Sequence, residues 1–302
     1  MRRLPSPRTG LQDDSQGGET RSEHGIEKTD QESYVEAARA KAPAGQQVAI
    51  VTGSARGIGE AIAKRLGRDG FHVIVGDLPA MQDGIDSTVA AIAEAGGTAT
   101  GATVDVTDED SVAGLVQAAV AAGGRLDVFV ANAGIAQVES LLDYSAEDFQ
   151  KILAVNITGV FNSYRQAAKQ MVAQGFGGKI IGAASIVAFR PFEMLAPYSA
   201  TKWAVRGLTQ AAAMEWATHG ITVNAYGPGI VGTAMWDLID EKLAAKHGQQ
   251  RGEALAENAK AIYLGRVSVG DDVARMVSYL SGPDSDYVTG QTMLVDGGMQ
   301  FS

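Results

Sequence analysis

Of the eight tyrosines in the chain, only Tyr198 has a lysine four residues on, at Lys202. Positions i and i+4 share one face of a helix, so the ammonium would sit beside the phenol. A free phenol titrates near 10, and proton exchange at neutral pH asks for a lower value. A fixed cation close by is one source of that shift. Tyr198 is therefore a candidate general acid–base. A Tyr–Lys pair at this spacing is a frequent coincidence, and Ser185 gives it weight. Ser185 closes the fifth apolar run, and its hydroxyl could hold a substrate oxygen beside the phenol. Asn156 falls mid-helix, where an amide usually faces solvent; here it could also hold a water that connects Lys202 to bulk.

A glycine-rich run follows the first apolar segment: Thr52, Gly53, Ser54, Ala55, Arg56, Gly57, Ile58, Gly59. Glycines there let the chain turn tightly and let its N–H groups approach a pyrophosphate at a helix N-terminus. Asp77 ends the next apolar run, where an acid would accept from the adenosine ribose hydroxyls and repel a 2′-phosphate. That favours NAD over NADP. Arg56 pulls the other way, since a cation in the turn could hold such a phosphate, and the acid is weighted more heavily. Asp77 also reads as a turn cap before Pro79. Asp105 and Val106 would flank the adenine. Asn132, Ala133 and Gly134 offer small residues where backbone passes close to a ribose.

These residues need a scaffold, and the apolar pattern supplies one. From Gln47 onward, short runs (48–51, 71–75, 99–104, 126–130, 179–181, 221–225 and 292–295) alternate with helical periodicity near 58–69, 84–95, 109–122, 146–173, 197–218 and 271–281. Apolar strands separated by helices predict a parallel sheet covered on both faces. The expected fold is a single doubly wound α/β domain of about seven strands over 46–302. Residues 233–264 interrupt the alternation as a helical lid. Residues 1–45 are polar and read as a disordered or loosely helical extension.

Composition narrows the chemistry. A net charge of −10 argues against nucleic-acid or anionic-membrane partners. With no cysteine there is no thiolate catalysis or Cys-bound metal, which fits a reducing, cytoplasmic setting. His24, His72, His219 and His247 lack metal-ligand spacing, so no metal is expected. No run of eighteen apolar residues predicts a membrane span.

Taken in order, the run 52–59, Asn132-Ala133-Gly134, Asn156, Ser185 and Tyr198-x-x-x-Lys202 resemble the short-chain dehydrogenases/reductases, across about 46–302. Pro228-Gly229 and Asp296-Gly297-Gly298 extend the match. The resemblance implies that Tyr198 is the acid–base and that Lys202 lowers its pKa and binds the nicotinamide ribose. It further implies that Ser185 orients the carbonyl and that Asn156 completes a water relay. Pro228, Gly229, Ile230 and Thr233 would meet the nicotinamide end. It also implies a homotetramer, with interfaces from the helices near 109–122 and 146–173 and from the C-terminal segment.

The C-terminal third, from Gly227 through Trp236 and on to Met299, is similar to the acetoin (diacetyl) reductase, or meso-2,3-butanediol dehydrogenase, branch. That branch commonly has polar residues where this chain has Ile186 and Phe192. A site unable to hydrogen-bond a second oxygen should not select strongly for a diol. With Met194, Met235 and Trp236, the pocket is expected to take a small ketone or secondary alcohol, of acetoin type or more apolar. Two alternatives share the motifs: an NADPH-dependent 3-oxoacyl carrier-protein reductase, and a nicotinamide-binding sensor or scaffold.

Overall fold

The computed structural model describes residues 44–301. The reading of the N-terminal extension lies outside them. The described chain opens with β1 (Val48–Thr52), α1 (Gly57–Arg68), β2 (His72–Asp77), α2 (Gln82–Glu94), β3 (Thr98–Thr103) and α3 (Glu109–Gly123). It continues through β4 (Val128–Ala131), α4 (Ala146–Leu153), α5 (Gly159–Gln174), β5 (Gly178–Ala183) and α6 (Ala196–Trp216). Then come β6 (Ile221–Pro228), the lid helices α7 (Ala234–His247) and α8 (Glu253–Ala259), α9 (Gly270–Ser281) and β7 (Thr292–Val295).

The seven strands form one sheet in the order β3-β2-β1-β4-β5-β6-β7. Every pairing is parallel. Strand side chains alternate between two cores, as period 2 requires. Ile50, Ile74, Phe129, Ile180 and Val223 pack with α3, α5 and α6, while Val51, Val75, Val130, Ile181 and Tyr226 pack with α1 and α9. The chain reverses its direction of strand addition between β1 and β4. A doubly wound sheet binds ligands at such a point, beyond the strand ends, and the candidate residues gather there.

Three local features differ from the sequence expectation. The helix expected over 146–173 is interrupted by a π-helical turn, Ala154–Thr158, that contains Asn156. Strand β3 is an edge, open to solvent along much of its length, and so is not covered on both faces. Ser185 lies two residues beyond β5 and caps a short 3-10 turn, Ile186–Ala188, by accepting from the Val187 N–H at 3.3 Å.

Candidate active site

The glycine-rich turn is held by bonds its sequence does not announce. Ser54 is buried, with its hydroxyl donating to the Val51 carbonyl at 2.7 Å. Asp77 accepts from the Ala55 N–H at 3.0 Å and the Leu78 N–H at 2.8 Å, so the acid both fixes the turn and caps its own strand end. Gly53 has φ +66°, and a Cβ there would lie 2.8 Å from the Ala133 Cα. A Cβ on Gly59 would lie 2.1 Å from the Gly53 carbonyl oxygen, so no larger residue fits. Such a cradle of close-packed glycine backbone opening onto α1 suits a pyrophosphate. Arg56 is exposed at the N-terminus of α1. Thr233 stands at the N-cap position of α7 without a side-chain cap bond, and its methyl lies near Gly57, so the lid begins opposite the turn.

Across the sheet edge, Asn132 is committed to the protein. Its amide donates to the carbonyls of Thr52 at 2.8 Å and Gly53 at 3.0 Å, and its oxygen accepts from the Tyr226 hydroxyl at 2.7 Å. Asp105 is likewise engaged locally, accepting from the Thr107 N–H and hydroxyl. Val106 is buried, and its carbonyl accepts from Asn162. Gly229 follows β6, where a Cβ would lie 2.7 Å from the Asp296 Cβ; Ile230 is buried beside it.

The catalytic candidates converge. Tyr198 and Lys202 share one face of α6, with Nζ 5.4 Å from the phenol ring centre. Lys202 is buried and donates to the Ala183 carbonyl at 2.6 Å. Burial pushes the Tyr198 phenol up to about 12, and the nearby Ser185 hydroxyl offsets this only in part. Burial also brings Lys202 down to about 8. In the chain by itself, removing both groups from water dominates these values.

Asn156 faces inward rather than solvent and is fully buried. Its oxygen accepts from the Ile135 N–H at 2.9 Å, and its amide donates to the Ile135 carbonyl at 2.9 Å and the Thr201 hydroxyl at 3.2 Å. The π-helical turn aims it there. A Cβ on Gly134 would sit 3.3 Å from Asn156 Oδ1 and 3.6 Å from Lys202 Nζ, so the missing side chain leaves both groups facing one space.

Around the phenol lies a third apolar cluster, separate from the two sheet cores. It gathers the expected Ile186, Phe192, Met194, Met235 and Trp236 with Val138, Ile152, Leu195, Ile239, Leu294 and Met299. The latter were missed in the sequence. Val138, Leu195 and Met299 lie in loops, where an apolar residue carries no periodic signal; Ile152, Ile239 and Leu294 lie in helices and a strand, where they read as ordinary core positions. Met194 has φ +60°, a strained value for a side chain of this size. Among the described residues, no three His, Asp or Glu side chains are disposed to hold a metal ion. No helix there is long and apolar enough to cross a membrane.

The short chain dehydrogenase family model matches residues 47–244. The chain belongs to that family. It is 47% identical over 256 residues to the L-2,3-butanediol dehydrogenase of Corynebacterium glutamicum, covering 85% of this chain and 99% of the relative. It is 41% identical to a diacetyl reductase [(S)-acetoin forming] of Staphylococcus epidermidis, covering 84% and 99%. Among solved structures, the actinorhodin polyketide ketoreductase with NADPH superposes at TM-score 0.80 and 36% identity, covering 84% of this chain and 97% of that one. Levodione reductase follows at 0.78 and 29%, covering 83% and 96%. As a short-chain dehydrogenase, the chain is an oxidoreductase acting on CH–OH groups with a nicotinamide nucleotide, NAD or NADP.

Proposed function

We propose that the chain interconverts a small secondary alcohol and its ketone with NAD(H). Its substrates are of the acetoin/diacetyl type or more apolar. The observation that carries this is the Tyr198 phenol, close to Ser185, backed by Lys202 and set in an apolar cluster. In reduction Tyr198 gives its proton to the carbonyl oxygen, and in oxidation it takes that proton back. Ser185 holds the substrate oxygen, and Lys202 binds the nicotinamide ribose and stabilises phenolate. Asn156 positions water between Lys202 and bulk. When bound, the nicotinamide supplies or accepts the hydride.

Asp77, Gly53, Arg56, Gly57, Ile58 and Gly59 would hold the adenosine and pyrophosphate. Asp105, Val106, Asn132, Ala133 and Gly134 would line the nucleotide's path, and Pro228, Gly229, Ile230 and Thr233 its nicotinamide end. The carboxylate of Asp77 at the end of β2 supports NAD over NADP.

Relatives named for butanediol and diacetyl favour a vicinal dicarbonyl or hydroxyketone. Ile186 and Phe192 offer no hydrogen bond to a second oxygen, so shape rather than polarity would sort substrates. The test is a panel of diacetyl, acetoin, 2-butanone and acetophenone with NADH and with NADPH. Diacetyl is expected to be reduced with NADH, with 2-butanone within about tenfold of it. Preference for NADPH, or a diacetyl-only enzyme, would overturn the corresponding half of the reading. Tyr198→Phe should abolish turnover while NADH still binds. We further propose a homotetramer, and that residues 46–302 suffice for activity.

A further inference from the structure

We infer that Tyr226 is a positioning residue for nucleotide binding, acting through Asn132 on the glycine-rich turn. Tyr226 is fully buried on β6, and no motif drew attention to it. Its hydroxyl donates to Asn132 Oδ1 at 2.7 Å. That bond settles which way the amide points, because the oxygen must face the phenol and the nitrogen the turn. So oriented, Nδ2 reaches the Thr52 and Gly53 carbonyls at 2.8 and 3.0 Å. The Asn132 and Ala133 N–H groups meet the Thr52 hydroxyl from the other side, each at 3.1 Å. A Cβ on Gly59 would come 2.5 Å from the same Nδ2, so the amide also fills the floor beneath the start of α1.

The backbone of Tyr226 extends the brace to the catalytic side. Its carbonyl accepts from the Ala184 N–H at 2.8 Å, one residue before Ser185, and its register partner Ala183 supplies the carbonyl that holds Lys202. One residue therefore joins the turn expected to hold pyrophosphate to the strand end that carries the catalytic serine. Losing the hydroxyl would leave the part-buried Asn132 Oδ1 without its donor and free the amide to rotate. The turn would loosen while the aromatic ring still fills its place.

The inference rests on the glycine-rich turn being the nucleotide site, and the experiment separates the two. NADH is titrated by fluorescence into wild type, Tyr226→Phe and Asn132→Ala, and kcat is measured at saturating NADH. The dissociation constant is expected to rise about five- to twentyfold in each variant, with kcat falling by less than affinity does. In the double variant, Tyr226→Phe should add less than twofold to Asn132→Ala, because both remove the same brace. A folded Tyr226→Phe that binds NADH within twofold of wild type overturns the inference and leaves the enzyme reading intact. Additive losses in the double variant also overturn it. Failure of wild type to bind NADH instead overturns the nucleotide reading itself.

Discussion

At the scale of single residues, burial dominates the titration of the site. With Tyr198 raised to about 12, the phenol stays protonated through neutral pH. That suits the proposed role of Tyr198 as donor in reduction and opposes oxidation, which on the same proposal would begin from phenolate. Ketone reduction should hold its rate between about pH 6 and 8, while alcohol oxidation climbs over the same interval. Initial rates in both directions check this, and an oxidation profile that is flat or falling would contradict it. Lys202 makes a second, thermodynamic prediction. Its folded value of about 8 lies below the ordinary 10.5, so between those limits the unfolded chain binds more protons. Stability from this group is therefore lowest below pH 8 and recovers as pH rises through the window. Lys202→Met removes a cost of about 3 kcal/mol at neutral pH and close to none above the window. The Ala183 carbonyl loses its donor at every pH, so the trend is the test. The variant's Tm relative to wild type should be higher at pH 7 than at pH 10, with activity lost at both. These residue types and spacings were readable from the chain; the direction of the phenol shift was not, because burial is a tertiary property.

At the scale of elements, the alternation of apolar runs and helical periodicity located all seven strands. The inner strands β1, β2 and β4 leave continuous Val/Ile-rich text because they are buried on two faces, whereas the edge strand β3 was placed by its position between two helical segments. The π-helical turn at Ala154–Thr158 was not legible, since it adds no breaker residue to a helical pattern. Nor was the strained backbone of Met194, which glycine rather than methionine would have signalled. That residue sits in a strap held from two sides. Its carbonyl accepts from the Glu139 N–H at 3.0 Å, and the adjacent Glu193 pairs with Lys246, in the last turn of lid helix α7, at 2.6 Å. The same helix lays Met235, Trp236, Ile239 and Leu243 on the apolar cluster. The pair is exposed, and salt screens such pairs. Lys246→Met should raise the KM for ketone about two- to fivefold and leave the KM for NADH unchanged. In wild type the ketone KM should rise with ionic strength, and in the variant it should not. An identical salt response in both proteins would show that the pair does not hold the lid.

For the whole molecule, the pattern of runs pointed to one parallel α/β sheet but left its outer surface unread, because an exposed apolar residue looks the same in text as a core one. The structure separates them. On α5, Phe161 and Val172 are exposed; on α6, Trp203 and Met214; and near the C-terminus, Tyr263, Leu264 and Phe301. Tyr263 and Phe301 lie with ring centres 6.2 Å apart and flank a cavity of about 680 Å³ lined by Ile230, Leu294 and Gly298. Exposed apolar side chains on a chain of net charge −10 favour contact with another protein surface over contact with an anionic partner. The exposed apolar residues on the long helices and those at the C-terminal edge would serve the two different two-fold contacts that the proposed four-chain assembly needs. Light scattering should therefore give the mass of four chains. Phe161→Glu buries a charge in the first contact only, so it should yield two-chain particles still joined through the C-terminal patch. Tyr263→Glu should do the same through the second contact, and the two substitutions together should give single chains. A wild-type protein that runs as one chain at micromolar concentration would sink the tetramer. Four-chain particles in the double variant would instead move the interfaces to other faces.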